Sequence, residues 1–340
     1  MTRQRLVVVG NGMVGHRLID ALRSRDRDRS WDITIIGEEP RPAYDRVALS
    51  SWFNGATPDD LTLDPACYSG AELMLGERVV GIDRWARTVA TSTGRAVGYD
   101  ALVLATGSSA FVPPIPGADQ PGCFVYRTIE DLQAISAAAH VAGVRSGAVV
   151  GGGLLGLEAA NALQALGLET HVVEFASRLM PMQVDDGGGE ALRRRVEQLG
   201  VHLHLGAATE RIEPGPPLRM VFADGSAVNA DLVVFSAGIR PRDGLARDAG
   251  LAVGERGGVV VDEGCRTEDE RIWAVGEVAC LGGRTYGLVA PGYAMAEVVA
   301  DRLLGGTATF PGADTSTKLK LLGVDVASFG DAMATTPGAL

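Results

Sequence analysis

Short apolar runs alternate with stretches of helical periodicity along most of the chain. Leu6–Val9, Ile33–Ile36 and Leu102–Leu104 have the composition of strands buried on both faces, and Met13–Ser24 predicts a helix between the first two. The same order then recurs, as strand Ala148–Val150, helix Leu154–Leu166, strand Thr170–Val173 and helix Gly189–Leu199. Strand Ile272–Val275 and helix Pro291–Leu304 follow. This alternation predicts an α/β fold built on parallel sheets.

Two crossings rich in turn-forming residues divide the pattern. The first contains Pro113, Pro114 and Pro116, and the second is Ser236-Ala237-Gly238 followed by Pro241. After the first crossing, Thr128-Ile-Glu-Asp131 predicts a capped helix start. We therefore expect two Rossmann-like domains, with the second inserted into the first. The predicted bounds are 1–115 and 238–306 for the first domain, 116–237 for the second, and 307–340 for an extension that can begin a further domain.

Composition excludes several classes of protein. The 340 residues include 31 basic and 42 acidic side chains, and the net charge of −11 disfavours a nucleic-acid partner. The four cysteines form no CxxC pair, which fits a reduced compartment and gives no zinc or iron–sulfur pattern within the chain. The five histidines have no metal-ligand spacing. The first apolar run is too short for a signal peptide or a membrane span, so we expect a cytoplasmic protein.

The sequence Gly10-Asn-Gly12-Met-Val-Gly15 follows the first predicted strand and opens the first predicted helix. In this context a GxGxxG loop holds a pyrophosphate, because its glycines permit a tight turn and a close approach of the backbone. A carboxylate at the end of the next strand accepts hydrogen bonds from ribose hydroxyls. Glu38 is our preferred candidate for that role, and Glu39 is the alternative.

A second fingerprint, Gly151-Gly-Gly153-Leu-Leu-Gly156-Leu-Glu158, again lies between a strand and a helix. Its acidic partner is Glu174, at the expected distance along the chain. Because a carboxylate repels a 2′-phosphate, Glu174 favours NADH over NADPH, while the nearby Arg178 keeps NADPH open. Since each fingerprint serves one dinucleotide, two of them predict two dinucleotides.

A third segment, Arg271-Ile-Trp-Ala-Val-Gly276-Glu277, runs from an apolar strand into a Gly-acid pair. With the two fingerprints, it makes the chain resemble the pyridine nucleotide–disulfide oxidoreductase superfamily over about residues 5–305. The resemblance implies FAD on the first fingerprint and NAD(P)H on the second. It also implies that Ala105-Thr106-Gly107 closes over the flavin and that Gly276-Glu277 binds the ribityl chain, with Glu277 in place of the usual Asp.

Residues 42–50, where many relatives carry a redox cysteine, contain none. The chain therefore lacks the nucleophile of disulfide reductases, and Cys67, the nearest thiol, is expected to be an ordinary half-buried cysteine. Several longer stretches resemble the N-terminal flavoprotein part of the assimilatory NAD(P)H-dependent nitrite reductase large subunit: 37–46, 123–132, 151–160, 286–293 and 316–331. In that family an iron–sulfur module and a sirohaem-containing part follow, and neither has a counterpart in this sequence.

Two sets of candidate binding residues follow. For FAD they are Gly10, Gly12, Met13, Gly15, Glu38, Arg46, Ala105, Thr106, Gly107, Gly276, Glu277, Leu288 and Pro291. For NAD(P)H they are Gly151, Gly153, Leu154, Leu155, Gly156, Glu158, Glu174, Arg178 and Gly238. Arg46 is expected to clamp FAD phosphates or to form a surface ion pair. Glu158 is expected near the nicotinamide, or in a capping or solvated position.

The leading functional hypothesis is an FAD-dependent NADH oxidoreductase module. It takes a hydride from NADH and passes electrons to an iron–sulfur or sirohaem acceptor, in a partner or in a further part of a longer protein. No acid–base residue is obligatory, because the cofactor does the chemistry. The alternatives are a stand-alone rubredoxin- or ferredoxin-type reductase and an NADH-sensing flavoprotein that hardly turns over.

Overall fold

The computed structural model describes residues 3–313, 317–321 and 324–328. Within them the chain divides into two compact units. The first comprises the described residues of Met1–Asp45, Asp59–Ser109 and Arg240–Thr315, and the second those of Arg46–Pro58, Ala110–Ile239 and Ser316–Leu340. Residues 46–58 thus group with the second unit, although the predicted bounds place them in the first domain. They do so because a 3₁₀ helix at Leu49–Asn54 packs against a helix of the second unit.

Seven α-helices occur in the described part of the chain. They are α1 (Met13–Arg25), α2 (Pro58–Leu61), α3 (Ile129–Ala139), α4 (Leu154–Ala165), α5 (Asp186–Gln198), α6 (Gly244–Asp248) and α7 (Val289–Leu303). Further 3₁₀ helices span Pro65–Tyr68 and Gly276–Val278.

The strands of the first half of the chain are β1 (Gln4–Val9), β2 (Trp31–Gly37), β3 (Glu72–Leu75), β4 (Val79–Asp83), β5 (Thr88–Thr91), β6 (Ala96–Gly98), β7 (Ala101–Leu104), β8 (Ser108–Ala110), β9 (Cys123–Val125), β10 (Ser146–Val150) and β11 (Glu169–Glu174). Those of the second half are β12 (His202–Leu205), β13 (Thr209–Glu213), β14 (Leu218–Phe222), β15 (Ala227–Ala230), β16 (Leu232–Phe235), β17 (Ile239–Pro241), β18 (Val259–Val261), β19 (Ile272–Ala274), β20 (Ala279–Leu281), β21 (Thr317–Leu321) and β22 (Val324–Ser328).

The first unit is built on a parallel sheet of order β19-β7-β1-β2-β3. Its central strands are buried on both faces, and residues of α1 and α7, which pack against each other, belong to the same hydrophobic core as these strands. The register pairs Val9 with both Ile36 and Leu104, so the three central strands end at one edge. The segments that follow them meet there.

The second unit repeats this arrangement in a parallel sheet of order β12-β11-β10-β16-β9. Val150 pairs with Val173 and Phe235, so these strands also end together. Each unit adds a three-stranded antiparallel sheet, β4-β5-β6 in the first and β13-β14-β15 in the second. The predicted α/β class with two Rossmann-like folds is confirmed.

The predicted elements agree with the observed ones to within about three residues. The capping box is present: the Thr128 hydroxyl accepts from the Asp131 N–H, and the Asp131 carboxylate accepts from the Thr128 N–H. Helix α5 begins at Asp186 rather than the predicted Gly189, because Asp185 caps it and accepts from the Gly188 N–H. The extension predicted at 307–340 lies mostly outside the described residues, apart from 307–313 and the antiparallel pair β21 and β22.

Candidate functional site

The first glycine loop connects β1 to α1 at the strand-end edge of the first unit. Gly10 has a φ of +109°, and a side chain there would overlap the Ala105 carbonyl. A Cβ on Gly15 would overlap the Gly10 carbonyl, so this glycine allows the helix to pack closely on the strand. By contrast, among the described residues no atom outside the adjoining chain lies within 4 Å of the Cβ position of Gly12, the N-cap of α1, and Gly12 provides no side-chain cap. Because Gly12 has no side chain with which to cap the helix, the start of α1 offers a position at which an anion can be held.

Two other predicted segments meet this loop. Gly107 has a φ of +64°. A Cβ built on Gly107 would lie 3.8 Å from a carboxylate oxygen of Glu277. The Ser108 hydroxyl donates to the same oxygen at 2.8 Å. Gly276 packs on the side chain of Val14 in α1. The fold thus brings together the three segments 10–15, 105–107 and 276–277, which are far apart in sequence.

The acidic residues after β2 both have protein partners. Glu38 pairs with Arg242 at 2.6 Å, and both side chains are about half exposed, at 49% and 48%. Glu39 accepts from the Tyr44 hydroxyl at 2.8 Å. Arg242 also fixes the 105–107 segment through its backbone, since its N–H donates to Gly107 and its carbonyl accepts from Thr106. Sequence patterns gave no signal for Arg242, because its partners lie more than 130 residues away.

Helix α7 begins beside these segments. Leu288 is its N-cap and provides no side-chain cap, and Pro291 lies in the first turn, where a missing N–H costs nothing. Gly292 allows the helix to approach α1, because a Cβ there would come within 2.6 Å of Val14 and 3.2 Å of Gly276. The start of α7 is thus held against the Gly276-Glu277 pair, with its positive end uncapped.

One buried donor in the first loop has no partner among the described residues. The Asn11 amide oxygen accepts from the Tyr68 hydroxyl at 2.7 Å, whereas its Nδ2 is buried and makes no hydrogen bond. An unsatisfied buried donor costs about 1–3 kcal/mol. A polar ligand held by this loop would provide the missing acceptor.

The second glycine loop connects β10 to α4 and reproduces the geometry of the first. Gly151 has a φ of +117° and packs on the Ser236 carbonyl, and Gly156 packs on the Gly151 carbonyl. Gly153, the N-cap of α4, again has open space at its Cβ position and no side-chain cap. Leu154 and Leu155 form the first turn of the helix. Gly238, with a φ of +107°, ends the segment that follows β16.

A cleft of about 510 Å³ lies at this edge of the second unit. Its walls comprise the glycine loop, the ends of β10 and β11, residues 181–183, residues 207–209 and residues 236–238. Glu174 is the only charged side chain among the described residues that line it. The Thr209 hydroxyl is buried in this wall and has no hydrogen-bond partner in the described chain. Phe175 and Met182 stand at the cleft with 79% and 82% of their surface exposed.

Glu174 lies where the sequence predicted it, at the end of β11. Its carboxylate accepts from the N–H groups of Gly152 at 2.6 Å and Ala176 at 2.7 Å. Arg178 follows four residues later but is directed elsewhere: it donates to the carbonyls of Val184 and Pro181 and pairs with Asp186.

Glu158 lies in α4 next to a buried tyrosine. Burial raises the pKa of Glu158 to about 7. The pKa of Tyr126 is also raised, by burial and by the charge of Glu158. The Tyr126 hydroxyl is buried without a hydrogen-bond partner in the described chain, and its ring stacks on Phe53. Arg46, in the same unit, donates to the Arg127 carbonyl at 3.1 Å.

Cys67, His171 and His204 lie outside both glycine loops. Cys67 is buried, and burial with nearby Asp20 and Asp64 raises its thiol pKa to about 12. His171 lies 3.2 Å from His204 on the neighbouring strand, a contact the sequence did not predict. Across the described ranges, no group of three or more His, Cys, Asp or Glu has the geometry to hold a metal ion. The described helices include none long and apolar enough to cross a membrane.

The sequence matches a known family model. Residues 4–298 match the pyridine nucleotide-disulphide oxidoreductase model. The chain belongs to this family. As a pyridine nucleotide-disulphide oxidoreductase, it contains both glycine loops and the Gly276-Glu277 pair within the matched region. It has no cysteine at residues 42–50.

The chain is similar over most of its length to two curated proteins and to one solved structure. It is 52% identical to the nitrite reductase (NADH) large subunit of Escherichia coli over 100% of this chain and 40% of that protein. It is 31% identical to the rubredoxin-NAD(+) reductase of Alcanivorax borkumensis over 89% of this chain and 79% of that protein. The structure of a NAD-dependent persulfide reductase from A. fulgidus matches 96% of this chain and 63% of its own, with 29% identity and a TM-score of 0.89. The chain thus spans less than half the length of the nitrite reductase subunit.

Proposed function

We propose that this chain is the flavoprotein part of an NADH-dependent nitrite reductase large subunit. It takes a hydride from NADH onto FAD and delivers electrons to an iron–sulfur or sirohaem centre outside these residues. The observation that carries the proposal is the repeated loop geometry. Each unit has a helix whose N-cap is a glycine, which provides no side-chain cap and has open space at its Cβ position.

The first unit, which overlaps the predicted domain 1–115 and 238–306 except for residues 46–58 and a few residues at the bounds, is proposed to bind FAD. Gly12 and the first turn of α1 would hold the pyrophosphate, and Asn11 Nδ2 would gain an acceptor. A ribose would lie by Glu38 or Glu39. Glu277, oriented by the Ser108 hydroxyl, would accept from a ribityl hydroxyl. These residues fit the cofactor, because they supply donors where it has phosphates and acceptors where it has hydroxyls.

The second unit, which contains the predicted domain 116–237, is proposed to bind NADH. Gly153 and the start of α4 would hold the pyrophosphate, and Glu174 would accept from the adenosine ribose. The adenine would cover Phe175 and Met182, two large apolar side chains that are otherwise exposed. Because Glu174 is the only charge among the described cleft residues, a 2′-phosphate would meet repulsion and no cation there.

FAD, when bound, supplies the chemistry that a nicotinamide lacks, since it accepts a hydride and releases electrons one at a time. The side chains of the protein would orient the cofactor and stabilise the charge that develops on it. Helix α7 has no side-chain cap at its N-terminus, which Gly292 allows to lie against Gly276. The positive end of this helix would favour negative charge on the flavin ring. Burial raises the pKa of Glu158 to about 7, so the Glu158 carboxyl near Tyr126 is mostly protonated below neutral pH.

We propose an acceptor outside these residues, in keeping with a sequence that has no CxxC pair. The similarity to a nitrite reductase subunit more than twice as long supports an acceptor in the remainder of such a protein or in a partner. The unpaired cysteines and the use of NADH fit a cytoplasmic location.

The test begins with the purified chain, which should be yellow and release FAD rather than FMN. Under anaerobic conditions one equivalent of NADH should remove the visible flavin absorbance, and ferricyanide should restore it over many turnovers. Colourless protein that takes up no FAD would contradict the proposal. Slow or absent turnover with ferricyanide would instead favour an NADH-sensing role.

A second candidate is a rubredoxin-type reductase, favoured by the match to most of the length of the Alcanivorax protein. The two candidates differ in the acceptor. Nitrite consumption should appear when a separately expressed sirohaem and iron–sulfur module is added to the chain and NADH. Efficient reduction of rubredoxin, with no nitrite consumption, would favour the second candidate.

A further inference from the structure

The loop between β11 and α5 forms one wall of the cleft. Pro181, Met182 and Gln183 face the cleft from this loop. The loop is also bonded to the glycine fingerprint, because the Met180 N–H donates to the Gly152 carbonyl at 2.9 Å and Glu174 accepts from the Gly152 N–H. Any movement of residues 181–183 would therefore change the shape of the cleft beside Glu174.

Arg178 is the side chain that closes this loop on itself. Its Nε donates to the Val184 carbonyl at 3.0 Å, and its Nη2 donates to the Pro181 carbonyl at 3.3 Å. Its Nη1 pairs with Asp186 at 2.7 Å. A planar guanidinium can serve three acceptors at once, which an ammonium cannot. The two ends of segment 181–184 are thus held by one side chain.

The start of α5 makes room for this arginine. A Cβ on Gly189 would come within 2.9 Å of the Arg178 Cβ and 3.0 Å of its Cδ. Gly187, two residues earlier, has only a carboxylate oxygen of Asp185 near its Cβ position, at 3.7 Å. The glycine at 189 therefore has a packing role that the glycine at 187 does not share.

We propose that Arg178 is a positioning residue for the coenzyme, fixing the 181–184 wall of the cleft, and that it is not the ligand of a 2′-phosphate. The proposal rests on the NADH-binding role of the second unit. It differs from a phosphate-ligand role in one measurable respect. Loss of the wall impairs NADH and NADPH alike, whereas loss of a phosphate ligand impairs NADPH alone.

The experiment uses the FAD-loaded full chain and four variants, Arg178→Ala, Arg178→Lys, Gly189→Ala and the control Gly187→Ala. Calorimetric titration with NAD⁺ and NADP⁺, which cannot reduce the flavin, gives the two Kd values, and ferricyanide turnover with NADH and NADPH gives kcat and KM. Arg178→Ala should raise both Kd values about tenfold, corresponding to loss of one net charge-assisted bond, and leave their ratio within about twofold. KM should rise while kcat changes little, since Arg178 lies by the predicted adenosine end.

Gly189→Ala tests the same contact without removing the charge. An alanine favours the helix by about 1 kcal/mol, so weaker coenzyme binding by a protein with undiminished helix content would come from displacement of Arg178. Gly187→Ala should bind as the wild type does. Arg178→Lys should recover little affinity, because one ammonium cannot span the three acceptors.

Four results would overturn the proposal: a selective loss of NADPH binding in Arg178→Ala, unchanged affinity in both Arg178→Ala and Gly189→Ala, equal losses in Gly187→Ala and Gly189→Ala, or full rescue by lysine. A wild-type chain that binds neither coenzyme would refute the proposed function and this inference together. Normal wild-type binding with any of the four results would refute the inference alone.

Discussion

Replacement of Glu174 by alanine should change the choice of coenzyme. Loss of a charge-assisted hydrogen bond costs about 1.5–3 kcal/mol, and each 1.4 kcal/mol is tenfold in affinity. The kcat/KM for NADH should therefore fall by about 10- to 100-fold. The kcat/KM for NADPH should rise or stay the same, because the charge that repels its 2′-phosphate is gone. Bound FAD should be unaffected, since the proposed FAD loop lies in the other unit.

The structure adds a complication that a second variant resolves. Glu174 also accepts from the N–H groups of Gly152 and Ala176, so alanine removes a brace as well as a charge. Glu174→Gln keeps the size and one acceptor oxygen but loses the charge. In both variants the ratio of kcat/KM for NADH to that for NADPH should fall about tenfold or more. Glu174→Ala should have the lower total activity of the two. Glu169→Gln, on the same strand with a side chain 60% exposed, is the matched control.

The measurement is kcat/KM for both coenzymes with ferricyanide as the acceptor. A wild type that prefers NADPH would refute the role assigned to Glu174. So would a preference that stays the same in both variants, or one that Glu169→Gln changes equally.

Three further predictions concern FAD retention and pH. Gly12→Val should lose FAD while the apoprotein keeps its circular dichroism, because its side chain enters open space, whereas Gly15→Val should damage the fold by overlapping the Gly10 carbonyl; stoichiometric FAD in Gly12→Val would contradict this. Ser108→Ala should raise the Kd of FAD about fivefold by removing a bond of about 1 kcal/mol to Glu277, and an unchanged Kd from flavin titration would exclude that role. Burial raises the pKa of Glu158 from 4.5 to about 7, so the folded protein holds a proton that the unfolded chain releases. The free energy of unfolding should thus fall, relative to Glu158→Gln, by up to about 3 kcal/mol as pH rises from 4.5 to 7 and level off above; parallel urea-denaturation curves for the two proteins across this range would refute it.

The strands and glycine loops could be predicted from the sequence because their signals are local. A buried parallel strand needs an apolar run, and a turn with positive φ needs glycine, as at Gly10 and Gly151. Glu174 could be predicted from the same local pattern, since an acidic residue is expected at the end of the strand that follows the glycine loop and its helix. The capping box at Thr128 is likewise a contact between residues three apart. Each of these features is determined within one element and its immediate neighbours.

Other features depend on which distant residues the fold brings together. The pairing of Arg242 with Glu38 joins residues 204 positions apart, and no periodicity encodes it. The three glycines at the start of α5 resemble a loop in sequence, because their helical role requires a cap at Asp185 and an arginine packed over Gly189. For the same reason Arg178, which the sequence places beside Glu174, acquires its partners only when the 181–184 loop folds around it. Local pattern thus determines which residues can bind a dinucleotide, and tertiary packing decides which of them are already engaged by the protein.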